Sequence, residues 1–110
     1  MRIAAMTPQL HLFVCANRRA PDSPLGPGCA EAGEAVFDAL KEEVGSRRQF
    51  ADIWVTKTHC LGVCPREGAT VAVYRRVGNP CGRIFSEVHA HEARDLLLPE
   101  FPALRGGSEP

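Results

Sequence analysis

The sequence has no excess of either charge, few aromatic rings and no long apolar run. Thirteen Lys and Arg balance thirteen Asp and Glu over 110 residues, so the formal net charge is zero. Without a net field, nothing draws the chain to a nucleic-acid backbone or an anionic membrane surface. Aromatic residues make up only 6%, which argues against stacking platforms for bases. No stretch approaches the roughly 20 apolar residues that a membrane-spanning helix needs. The N-terminal "MRIAAMTPQLHLFVC" is interrupted by Pro8, Gln9 and His11 and lacks the cleavage site of a secretory signal. There are no internal repeats. The expectation is a cytoplasmic protein with neither nucleic-acid nor membrane partners. In that compartment structural disulfides are rare, and grouped cysteines more often bind metal or do redox chemistry.

What the sequence does have is cysteine: Cys15, Cys29, Cys60, Cys64 and Cys81. An odd count fits four ligands and one spare better than a disulfide framework. The length suits one domain, which buries about two-thirds of its unfolded surface without needing staples.

The pattern along the chain alternates strand and helix. "LHLFVC" (10–15) is a short apolar run and reads as a buried strand. "ANRRAPDSPLGPG" (16–28), with three prolines and two glycines, is a long loop. Residues 29–48 have helical periodicity: Gly33, Val36, Phe37, Leu40 and Val44 share one face, and Gly45 is expected to mark the end. This puts Cys29 at the helix N-terminus. "ADIWVT" (51–56) reads as a second strand, "ATVAVYRR" (69–76) as a third and "RIFSEV" (83–88) as a fourth. The turn "VGNPCG" (77–82) joins the last two as a hairpin. "AHEARDLLL" (90–98) reads as a closing helix with Ala93, Leu96 and Leu97 inward. The expected division is an N-terminal arm (1–9), a domain (10–98) and a Pro/Gly-rich tail (99–110). The fold class is α/β: β-α-β, then a β-hairpin and a C-terminal helix on a central mixed sheet, the thioredoxin-like plan.

In this plan Cys15 ends the first strand, and Cys60 follows the second strand, parallel to it. The long loop returns Cys29 to the same edge, and Cys64 follows Cys60 in "HCLGVCPREG" (59–68). Two pairs distant in sequence converge on a four-thiolate site. Thiolates suit zinc or an iron–sulfur cluster. The separations within the pairs, thirteen and three residues, fit zinc knuckles poorly, whereas iron–sulfur sites tolerate wide and uneven spacing.

"HLFVC", the loop leading to "GCAEAGEAVFDAL", "CLGVCPREGATVAVY" and "PCGRIFSEVHAHEARDLL" resemble, in order, the thioredoxin-like 2Fe–2S ferredoxins of the stand-alone, Shethna type. The small iron–sulfur subunit of respiratory NADH dehydrogenase has a related site, with its first cysteine pair closer together. The resemblance implies one 2Fe–2S cluster per chain ligated by Cys15, Cys29, Cys60 and Cys64. It also implies a homodimer and a one-electron carrier that passes electrons between redox partner proteins and is not an enzyme.

Two alternatives use the same residues. One is a zinc-binding adaptor on the four thiolates. The other is a thiol–disulfide redox protein using Cys29 or the Cys60/Cys64 pair, although a reductase would want two residues between its cysteines at a helix start. Cys81 sits in the hairpin turn, is expected to be exposed and is not assigned as a ligand. His59 is read as a neighbour of the site, a possible hydrogen-bond donor to sulfur. His11, His89 and His91 are read as ordinary surface or packing residues. Arg18, Arg19, Lys57 and Arg66 flank the cysteine loops, each as an ordinary solvated side chain. As a group they are a candidate cationic rim for an acidic partner.

Overall fold

A computed structural model of the chain describes residues 1–4, 7–20, 22, 24, 28–59, 61, 67–76 and 81–97. Strand β1 (Leu10–Cys15) leads through the long loop into helix α1 (Ala30–Ser46) and then strand β2 (Ile53–Thr58). Strands β3 (Ala69–Arg75) and β4 (Gly82–Val88) follow, and a 3₁₀ helix, Ala90–Leu97, comes last. The four strands form one sheet in the order β2-β1-β3-β4. β1 and β2 are parallel, and the other two pairs are antiparallel. The mixed α/β plan expected from the sequence is therefore the one observed.

Strand alternation builds the core. Leu10, Leu12 and Val14 of β1 join Ile53 and Val55 of β2, Val71 and Val73 of β3, and Phe85 of β4 in one buried cluster. Helix α1 adds Val36, Leu40 and Val44 to it, and the 3₁₀ helix adds Ala93, Leu96 and Leu97. Phe37 is only half-buried, with the Lys57 ammonium 5.0 Å from its ring centre.

Several boundaries differ from those expected. β2 begins two residues later and runs to Thr58, because its register follows β1 from Leu10–Ile53 to Cys15–Thr58. Asp52 is left in a turn, where its carbonyl accepts from the Gln9 and Leu10 N–H groups. Helix α1 runs past Gly45 to Ser46, and the left-handed residue beyond its end is Arg48, at φ 55°. The closing helix is 3₁₀ rather than α. Its first turn is held reciprocally: the His89 N–H donates to Glu92 Oε1 at 3.1 Å, and the Glu92 N–H donates to the His89 carbonyl at 3.0 Å. The tail from 98 onward and the hairpin turn at 77–80 lie outside the described residues.

One contact sets how α1 meets the sheet. A Cβ on Gly33 would stand 2.0 Å from the Cys15 carbonyl oxygen and 2.9 Å from Ala16 Cα, both backbone atoms. The helix can lie this close to β1 only with hydrogen at that position. Gly33→Ala should therefore lower unfolding stability by about 1–3 kcal/mol or more, the cost of overpacking against backbone that cannot yield. Gly45→Ala is the control, since the nearest atom outside the helix to a Cβ there is a Phe50 ring carbon at 3.8 Å. That change should be neutral or stabilising by up to ~1 kcal/mol. Urea unfolding of both variants checks the pair, and equal effects would refute the close-approach argument.

Candidate metal centre

The C-terminal ends of β1 and β2 lie side by side, and the N-terminus of α1 is pinned to them. The Ala16 N–H donates to the Thr58 carbonyl at 3.0 Å, extending the parallel ladder one step. The Ala30 N–H donates to the Asn17 carbonyl at 3.0 Å, giving one of the helix's first free donors a partner. Gly28 permits that bond: its φ is +80°, and a Cβ there would lie 2.2 Å from the Asn17 oxygen. Ala30 follows at φ 34°, so the two residues flanking Cys29 both have positive φ. Cys29 is the N-cap of α1, and its side chain makes no capping hydrogen bond.

This arrangement brings Cys29 against Cys15. Both are nearly inaccessible, at 4% and 2% exposure, and both are free thiols. Burial pushes the Cys29 thiol above its ordinary pKa. The Thr70 backbone N–H and hydroxyl, both hydrogen-bonded to it, pull it back down, and the adjoining Cys15 sulfur raises it further. Two sulfurs this close repel once both are ionised, and a cation between them relieves that repulsion. The donor chemistry therefore fits a thiophilic metal centre.

Thr70 is the one fully buried polar side chain among the described residues. It directly precedes Val71, which pairs with Val14, the residue before Cys15. Reading the sequence for ligands passed over it. The available signal was a single hydroxyl inside the apolar run "ATVAV".

Cys60, Cys64, Gly62, Pro65 and Arg66 lie outside the described residues. Among the described residues, no group of three or more His, Cys, Asp or Glu side chains could hold a metal ion; Cys15 and Cys29 form a pair. Before Cys60, Thr58 pairs with Cys15, and Leu61, between the two cysteines in sequence, is half-buried against the core. Cys81 is exposed, as expected. Its carbonyl accepts from the Arg75 N–H, and Arg75 pairs with Leu10, so Cys81 belongs to the edge of the sheet opposite Cys15.

The other polar candidates separate. His59 is exposed. His11 bonds the Thr56 hydroxyl at 2.9 Å and stacks on Phe13, and His89 pairs with Glu67 at 3.1 Å. Lys57 is tied to Glu34 at 3.0 Å, which bridges β2 to α1.

No protein-family model matches the chain. Among characterised proteins it is similar to the 2Fe–2S ferredoxin of Aquifex aeolicus (strain VF5), at 31% identity over 99 residues, 88% of this chain and 80% of the relative. It is also similar to the 2Fe–2S ferredoxin of Clostridium pasteurianum, at 26% over 92 residues, 84% of each chain. Among solved structures it resembles the wild-type thioredoxin-like [2Fe-2S] ferredoxin of Aquifex aeolicus, with a TM-score of 0.67, 28% identity and coverage of 83% and 84%. A cysteine-to-serine variant of that protein gives a TM-score of 0.66 at 28% identity, covering 80% and 82%.

The geometry predicts a graded thiol reactivity. In the native protein a bulky maleimide should modify Cys81 within minutes and leave Cys15 and Cys29 untouched until denaturant is added. Peptide mass spectrometry reads the sites, and labelling of Cys15 or Cys29 at the Cys81 rate would contradict the burial described.

Proposed function

The chain belongs to the thioredoxin-like 2Fe–2S ferredoxins, a family of electron carriers, and we propose that it carries single electrons on one 2Fe–2S cluster held by Cys15, Cys29, Cys60 and Cys64. The observation that carries the ligand assignment is the buried, unbridged Cys15/Cys29 pair at the edge where β2 ends. The segment containing the other two thiols leaves β2 at Thr58, beside Cys15. When bound, the cluster supplies a reversible one-electron couple.

The residues of this chain hold, orient and insulate. Cys29 at the N-cap of α1 places a sulfur at the positive end of a 17-residue helix, where added negative charge is favoured. Burial of Cys15 and Cys29 keeps water from their side of the site. The protein transforms no substrate. It works in the cytoplasm, between redox partner proteins that dock over the cysteine loops, and the fold unit spans 10–98. Among the described residues, no helix is long and apolar enough to cross a membrane.

The partner for the open face of the sheet is a second copy of the chain. Both helices add their buried residues to the Leu10, Leu12 and Val14 side. The alternate residues His11, Phe13, Trp54, Thr56, Ala72, Tyr74 and Ile84 line the other side in register. His11 stacks on Phe13 and meets Trp54 edge-on, and Phe13 meets Tyr74 edge-on. None of these seven residues is an acid, lysine or arginine, so two copies can meet here without burying a charge. Tyr74 and Ile84 are 48% and 49% exposed.

Anaerobic purification should yield a coloured protein with two irons and two sulfides per chain. Replacing Cys15, Cys29, Cys60 or Cys64 with Ala should abolish or strongly alter the spectrum, and Cys81→Ser should leave it intact. A colourless protein with stoichiometric zinc would sink the carrier reading. Loss of the chromophore in Cys81→Ser would show the ligand set to be wrong. For the dimer, Ile84→Glu should shift sedimentation from dimer to monomer at micromolar concentration while leaving the cluster in place. An unchanged dimer would put the interface elsewhere.

A further inference from the structure

We propose that the Thr70 hydroxyl donates a hydrogen bond to the Cys29 sulfur and thereby raises the reduction potential of the centre, an inference that rests on the cluster reading above. Thr70 is 0% exposed and, among the described residues, is the one buried polar side chain in an otherwise apolar core. Burying a hydroxyl is unfavourable unless it finds a partner. The Thr70 hydroxyl reaches the Cys29 sulfur, which the backbone N–H of the same residue also approaches. A single residue thus presents two donors to one sulfur.

The strand geometry supports that aim. The pairing of β3 with β4 shifts by one between Ala69–Val88 and Val71–Phe85, so Ser86 and Glu87 together oppose Thr70. Glu87, one of the two residues on the bulged side, adopts φ 56°. Bulges turn side chains out of the regular alternation, and this one lies opposite the residue that reaches Cys29. Thr70 directly precedes Val71, which pairs with Val14, the residue before Cys15.

A donor to a thiolate ligand stabilises whichever state of the centre carries more negative charge on sulfur, which is the reduced state. One electron arrives from a reduced partner protein and leaves to an oxidised one, and the hydroxyl keeps its proton throughout. Thr70 is therefore a tuning residue. Its removal should leave the ligands in place and make reduction harder.

The test is a redox titration of the purified holoprotein, followed by visible absorption, on the parent chain, Thr70→Val, Thr70→Ala and Thr70→Ser. Valine keeps the shape and removes the donor, and serine restores the donor without the methyl. Expected is a reduced-to-oxidised ratio about tenfold lower at a fixed ambient potential in Val and Ala, equivalent to ~59 mV downward for one electron. Thr70→Ser should stay within about twofold of the parent. The Fe–S stretching bands in resonance Raman should move in Val and Ala and not in Ser. Val and Ala serve as two independent hydroxyl-free variants, so loss of the cluster in one leaves the other to decide. Unchanged potentials in cluster-loaded Val and Ala would overturn the inference, as would a Ser value as low as theirs. A parent chain with no 2Fe–2S chromophore would instead overturn the cluster reading itself.

Discussion

The structure depends on how closely α1 approaches the end of β1. Hydrogen at Gly33 lets the helix backbone rest against the Cys15 carbonyl, and the Ala30–Asn17 bond ties the helix start to the residues leaving the strand. Together these contacts put Cys29 beside Cys15 across a thirteen-residue loop. Push the helix outward by the width of a methyl group and the two thiols separate. The first turn of α1 thus packs the core and also spaces the two thiols.

The same packing leaves the sheet one-sided. The helices add their apolar residues to one face, and β1 then alternates between that core and the aromatic side. Charge is kept off the aromatic side by residue choice at every other position of the strands. The edge that carries Cys15 and the open face are consequently separate regions of one sheet. A partner covering the face does not have to cover the cysteines.

Most of the architecture was legible in the sequence because it rests on periodicity. Leu10, Leu12 and Val14 alternate, the apolar face of residues 33–44 recurs at helical spacing, and "ATVAV" is too apolar for an edge strand. The misjudged boundaries were those decided by a neighbour. Lys57 and Thr58 have no apolar signal and are strand only because β1 pairs with them. Gly45 looked like a stop, yet the chain turns at Arg48, after the helix has used its last contacts with the core. At the site, Cys15 and Cys29 could be read from residue type and position. Thr70 could not, because a threonine in a strand is ordinary and only the bulge at Ser86–Glu87 makes it unusual. The pairing of Lys57 with Glu34 was likewise invisible in the sequence, because it is a tertiary contact between β2 and α1.

The parallel register of β1 and β2 also bears on how the protein matures. Before folding, the chain has Cys15 and Cys29 in one segment and Cys60 and Cys64 in another, with all of α1 between them. Each segment alone is at most a loose two-sulfur chelator. The segments meet only when β2 docks along β1, a closure between distant parts of the chain of the kind that limits folding rates. On the four-thiolate reading, a tight site therefore exists only in chains that have finished this step. Insertion of the metal centre then acts as a check on completed folding, and the filled centre holds this strand pair in place.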